Sequence, residues 1–205
     1  MATAFETLRV KEKETRRKTI ARMAEGILRQ QGLDAVTIRN VAREAGLSTG
    51  AIYMYFKNKE EIFIYLLIEN LKVLEKDFCA SMASAGTREA FCAMAMDYKR
   101  YYLRLGKYID LFSLIGEKDP APDVDATLLE ELRAQLYAIF AKVQEFMGGA
   151  SMREALKGVS PERAVPVLWS IITGLAHVTL PSARARESGF DFDQVLADLI
   201  RIMIS

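Results

Sequence analysis

Cysteine, histidine and tryptophan are scarce: two, one and one among 205 residues. Cys79 and Cys92 are isolated. Such cysteines in a cytosolic chain read as reduced, buried small hydrophobes, with a redox pair as the alternative. His177 and two distant cysteines do not make a zinc site. Glycine (12) and proline (5) are sparse and no stretch is low in complexity, which excludes a disordered chain. No apolar run is long enough to span a membrane. The N-terminus opens on polar and charged residues, without the apolar core of a secretory signal, so a cytoplasmic protein is expected. There is no glycine-rich phosphate loop, no nucleophile elbow and no metal-ligand cluster. A lone histidine has no evident acid–base partner. No enzyme is therefore expected, with no catalytic residue, no metal and no cofactor.

Hydrophobic residues make up 51% of the chain, enough for a sizeable core. The net charge of +1 hides an asymmetry. Met1 to Tyr65 carries 12 Lys+Arg against 8 Asp+Glu, and the remainder 16 against 19. A basic N-terminal module fits a polyanion partner. A solvated basic helix face accounts for the charge equally well.

Helical spacing runs through nearly the whole sequence, and no segment alternates convincingly with period two. An all-α protein is expected. Ile20, Ala24, Ile27 and Leu28 give a helix over about 15–31 one buried face, stopped by Gly32 in a left-handed C′ conformation. Thr37 caps a short helix to Ala45, and Gly46 breaks it. Ser48 caps a second short helix, 49–55. Asn58 caps a long one ending near Ser81, with Glu61 at N3 completing a capping-box-like pair. Further helices are expected over 87–105, 108–115, 125–147, 161–179 and 193–204, with a loop over 116–125 containing Pro120 and Pro122. Pro166 implies a late start or a kink in the 161–179 helix.

Two short helices around a tight glycine turn, 37–45 and 48–55, fit a helix-turn-helix. The second begins Ser48-Thr49-Gly50-Ala51, all small, so its N-terminus could approach a duplex closely. Tyr53 and Tyr55 carry hydroxyls suited to phosphates. Arg9, Lys11, Lys13, Arg16, Arg17, Lys18 and Arg22 form a basic lead-in, and Lys57 and Lys59 add charge. The run from Thr37 to Glu61, with the Gly46 turn, the aromatic Tyr53-x-Tyr55-Phe56 and Lys59-Glu60 opening the long helix, resembles the DNA-binding signature of the TetR (tetracycline repressor) family. Past about residue 80 the resemblance is one of architecture alone.

That resemblance implies an N-terminal three-helix DNA-binding domain, 1–65, and a helical effector-binding and dimerisation domain, 66–205. It implies a ligand-responsive repressor that binds a palindromic double-stranded operator as a homodimer. Arg39 and Thr49 fall where such proteins touch base edges. Thr37, Tyr53, Tyr55 and Lys59 fall where they hold phosphates. Gly50 and Ala51 line the groove face beside Ser48, while Ile52 and Phe56 are core. Met54 departs from the family's usual His or aromatic residue.

Phe91, Met94, Met96, Tyr98, Tyr101, Tyr102, Tyr108 and Phe112 cluster in sequence. They read either as ordinary core or as the lining of an adaptable apolar pocket. The resemblance implies an effector site here, with Gly106 and Gly116 bracketing a transmitting helix. Trp169 and His177, two turns apart and close to one face, read either as a packed Trp and a satisfied His or as side chains reaching the same small, mostly apolar ligand. The last two helices carry wide apolar stripes that suit a two-fold four-helix interface.

Overall fold

Thr3 opens the first helix. Its hydroxyl accepts the Glu6 N–H at 3.2 Å, and the Glu6 carboxylate accepts the Thr3 N–H at 2.6 Å, a full capping box. Helix α1 therefore spans Ala4–Gln31, eleven residues longer at its start than the apolar face alone suggests. Gly32 ends it, but at φ 86 and ψ 178 it is not in the left-handed helical region expected. That conformation is open essentially to glycine alone.

The structure, a computed structural model, describes residues 3–83, 86–105, 123–155, 159–180 and 191–203. The expected 108–115 helix, most of the 116–125 loop, Gly106 and Gly116 lie outside the described residues. After a short 3₁₀ turn, Leu33–Ala35, come α2 (Ile38–Glu44), α3 (Thr49–Tyr53), α4 (Lys59–Met82) and α5 (Thr87–Arg104). Then follow α6 (Ala126–Met147), α7 (Ala150–Ala155), α8 (Pro161–Thr179) and α9 (Phe192–Met203). The fold is all-α, with no strand among the described residues. Helix α3 is shorter than expected, ending at Tyr53. Helix α7 was not anticipated. Its six residues are too few to show a period, and they follow directly on the Gly148-Gly149 stop. Pro161 starts α8 in the first turn, where its missing N–H costs nothing, and Pro166 lies inside the helix.

The chain forms two compact units, Met1–Glu69 with Leu111–Arg133, and Asn70–Asp110 with Ala134–Ser205. In the first, α1 packs on α2, and α2 on α3. Its core holds Ile20, Ala24, Leu28, Val41, Ile52, Phe56 and Ile62. The Arg17 guanidinium lies 5.0 Å from the Phe56 ring centre and 4.5 Å from that of Tyr65, and the two rings meet edge-on at 5.6 Å. The Tyr65 hydroxyl donates to Glu14 at 2.5 Å. Burial, reinforced by that bond, pushes its phenol above the ordinary value.

In the second unit, α5 packs against α7, α8 and α9, and α9 also against α8. Lys99 fastens the start of α9. It donates to Asp193 at 2.6 Å and stands 5.3 Å from the Phe192 ring centre. Ser81 donates to the buried Asp97 at 2.6 Å, and Arg100 pairs with the same carboxylate. None of the described helices is long and apolar enough to cross a membrane.

Candidate nucleic-acid interface

Helix α2 begins where Thr37 Oγ1 accepts the Asn40 N–H at 3.1 Å. It ends in a Schellman turn. The Leu47 N–H donates to the Ala42 carbonyl at 2.9 Å, and the Gly46 N–H to that of Arg43 at 3.2 Å. The turn needs a residue at positive φ, and Gly46 supplies it at φ 66. Ser48 Oγ then accepts the Ala51 N–H at 3.1 Å and starts α3. At five residues α3 is far too short to persist alone. It is held by Ile52, which is fully buried.

The residues singled out for DNA come together in the first unit. Ser48, Thr49, Gly50 and Tyr53 are exposed along α3 and its cap. Arg39 is exposed on α2, and Lys59 is exposed at the start of α4. Thr37, Ala51 and Tyr55 are half-buried. Lys59 approaches Glu60 at 3.9 Å, both side chains being exposed. Such a pair is weak and leaves the ammonium usable.

The turn into α4 carries a feature not anticipated in the sequence. Asn58 Oδ1 caps the helix, accepting the Glu61 N–H at 2.8 Å. The Glu61 carboxylate does not return to Asn58 as a capping box would. It accepts the Lys57 N–H at 2.7 Å and the Asp125 N–H at 3.1 Å. Asn58 donates to the Asp123 carbonyl at 3.0 Å, and Lys57 Nζ to Asp125 at 3.2 Å. The Lys57 ammonium holds the Asp125 carboxyl below its usual range. Glu61 is only 4% exposed, so the clasp fixes the backbone just before α4. Glu61→Ala strands two N–H groups, and we expect it to cost about 1–3 kcal/mol. Glu61→Gln, which keeps one acceptor oxygen, should cost less. Denaturant midpoints of the two variants check this; equal, negligible losses would contradict the clasp.

In the second unit, Phe91, Met94, Tyr98 and Trp169 line one cavity of about 60 Å³. Phe78, Ala95, Phe140, Val143, Met147, Val165, Leu168 and Ile172 complete its wall. Trp169 meets Tyr98 and Phe140 edge-on, at 5.0 and 5.3 Å between ring centres. The Tyr98 hydroxyl and Thr173 share a hydrogen bond at 3.0 Å. Tyr101 and Tyr102 are buried but do not line this cavity. Burial pushes both phenols above their ordinary value, and the Tyr101 hydroxyl has no hydrogen-bond partner among the described residues. His177 is exposed, 5.2 Å from the Tyr102 ring centre, and bonds the Thr173 carbonyl through Nδ1 at 3.2 Å. Tyr108 and Phe112 lie outside the described residues. Apart from Trp169, the lining contributed by α6 and α8 is not read from the sequence, because each helix presents one broad apolar stripe. Helical period alone does not divide such a stripe between core and cavity.

A capped helix, a Schellman turn and a short exposed helix seated on a third define a helix-turn-helix of the DNA-binding class. Residues 20–66 match the family described as bacterial regulatory proteins, tetR family, a likeness confined to this helix-turn-helix region. The HTH-type transcriptional regulator PksA of Bacillus subtilis is 37% identical over 54 residues, 26% of each chain. The chain thus spans about a quarter of that relative's length. The fold match runs further. A TetR/AcrR-family transcriptional regulator from Thermobifida fusca superposes with a TM-score of 0.66 at 20% identity, over 93% of this chain and 97% of that one. The transcriptional regulator FadR of Bacillus subtilis, solved in complex with stearoyl-CoA, gives 0.61 at 17% identity over 92% and 97%.

Proposed function

We propose that the protein is a ligand-responsive transcriptional repressor that binds a palindromic operator as a homodimer and leaves it when a small, mostly apolar effector binds. The observation that carries DNA binding is α3, a helix too short to stand alone, seated by Ile52 with Thr49, Gly50 and Tyr53 facing outward. In this reading Arg39 and Thr49 meet base edges, and Thr37, Tyr53, Tyr55 and Lys59 hold phosphates. Residues 1–65 bind DNA, while 66–205 bind the effector and dimerise. Helices α8 and α9 form the two-fold interface, for which exposed Val167, Val178 and Ile202 are suitable contacts. The recognition helices then stand about 34–36 Å apart on the duplex, one turn.

The effector site is the cavity beside Trp169. Among the described residues no carboxylate, ammonium or guanidinium lines it, so a neutral or largely apolar molecule is the fitting occupant. Its 60 Å³ falls well short of the ~300–1,000 Å³ of ordinary ligand pockets, so binding must widen it. Met94 and Met147, unbranched and adaptable, are the side chains able to give way. An acyl chain, such as that of the ligand in the FadR structure, is one molecule such a lining would accept. Release from DNA requires the effector to prefer the conformer with misplaced recognition helices, and ~1–3 kcal/mol of coupling gives roughly 5–150-fold. Helix α4, which contributes residues to both units, is the proposed lever.

Selection of bound duplexes from a random pool tests the reading. We expect a palindromic consensus and affinity that falls steeply with salt; sequence-blind binding would contradict it. Lipophilic compounds titrated onto the complex should change Trp169 fluorescence and release DNA together. Release that follows oxidant instead, and vanishes in a Cys79→Ser, Cys92→Ser protein, would overturn the cavity assignment.

A further inference from the structure

We infer that Met54 reads the C5-methyl group of a thymine in the major groove, adding an apolar contact to operator specificity. The inference rests on the helix-turn-helix reading above. Met54 follows directly on α3 as its C-cap, still in the right-handed helical region at φ −69 and ψ −17. With about 100° of turn per residue, Gly50 and Met54 lie on the side of the helix opposite Ile52. Ile52 is fully buried, so that opposite line is the outermost ridge of the recognition helix. Met54 is 75% exposed there. Scattered apolar residues on a surface are ordinary. A large one on the ridge that enters the groove first is a different matter, because any bound duplex must cover it.

The space beside Gly50 is open, and Met54 borders a concavity shared with Arg9 and Lys13 of α1. Helical side chains lean toward the N-terminus of their helix, which directs Met54 toward Gly50. A Cβ added at Gly50 would meet nothing nearer than Ser48 Oγ at 3.8 Å. Bases can therefore approach the backbone at Gly50 while the thioether lies alongside them. A thioether has no donor and is a poor acceptor, so it cannot take part in the hydrogen-bond code of the base edges. The apolar group presented on the major-groove edge is the thymine methyl. The unbranched side chain can adjust to meet it. Thr49 and Tyr53, exposed on the flank, remain available for polar contacts.

The test uses the full chain and a duplex selected from a random pool. Each thymine of one half-site is replaced in turn by uracil, which removes the methyl and nothing else. One position should weaken binding about fourfold, the worth of one buried methyl. Met54→Ala should bind less tightly and lose the distinction between thymine and uracil at that position, while Met54→Leu should retain it. Circular dichroism should show both variants folded, because the side chain is exposed. Discrimination absent at every position, or surviving in Met54→Ala, overturns the inference and leaves the DNA-binding reading standing. A pool that yields no preferred sequence overturns both.

Discussion

Arg39→Ala is expected to weaken operator binding by about 5–150-fold, the ~1–3 kcal/mol of a bidentate base contact, with no loss of thermal stability. Arg39 sits exposed in the first turn of α2, beside the turn that presents α3. Among the described residues it forms no ion pair, so its removal leaves no buried charge behind. A guanidinium in that setting has five donors in a planar fork and no structural duty that occupies them. If it reads a guanine edge, the variant loses affinity at one position of each half-site and accepts other bases there. If it holds a phosphate instead, affinity falls evenly across sequences and the salt slope drops by about one. Titration of selected and single-base-variant duplexes at two salt concentrations separates these results. Unchanged affinity for every duplex would remove Arg39 from the interface.

Phe56→Ala should have the largest effect on stability, about 3–5 kcal/mol, because it deletes a ring from a closed core. Phe56 is almost fully buried where the chain leaves α3 and turns toward α4. Its ring meets Tyr65 edge-on and lies under the Arg17 guanidinium. The loss is a large fraction of a domain's whole stability, ~5–15 kcal/mol, so DNA binding should weaken as the unfolded fraction rises. Phe56→Leu keeps much of the volume and should cost less. Arg17→Met keeps the stem of that side chain but removes the cation, and should lose only the cation–π contribution, about 0.5–2 kcal/mol. Denaturant unfolding of the three variants checks the order. A Phe56→Ala protein with an unchanged midpoint would mean that the ring does not hold α3 in place.

Much of the first unit was legible in the sequence because its signals are short-range. Thr37, Ser48 and Asn58 each bond an N–H three residues on, and Gly46 takes the positive φ its turn requires. The Thr3–Glu6 capping box is equally local, but the apolar stripe marks a later helix start, and the exposed leading turns of α1 have no such stripe. The end of α3 at Tyr53 is not legible in the sequence, because five residues carry too little pattern to mark a C-terminus.

By itself, then, the sequence determined the all-α class, the caps and turn of the helix-turn-helix, and the family signature, all set by neighbours within a few residues. Tertiary structure alone decided where the Glu61 carboxylate goes. It bonds the N–H of Asp125, 64 residues away, in preference to the local partner that its N3 position suggests. Tertiary structure also divided the aromatic cluster. Tyr98, Tyr101 and Tyr102 share one helix and are all buried, yet only Tyr98 of the three lines the cavity with Trp169. The physical reason is the same in both cases. Helical period says which stripe of a helix must leave water, but the neighbour that covers each residue comes from distant parts of the chain, and no local pattern encodes it.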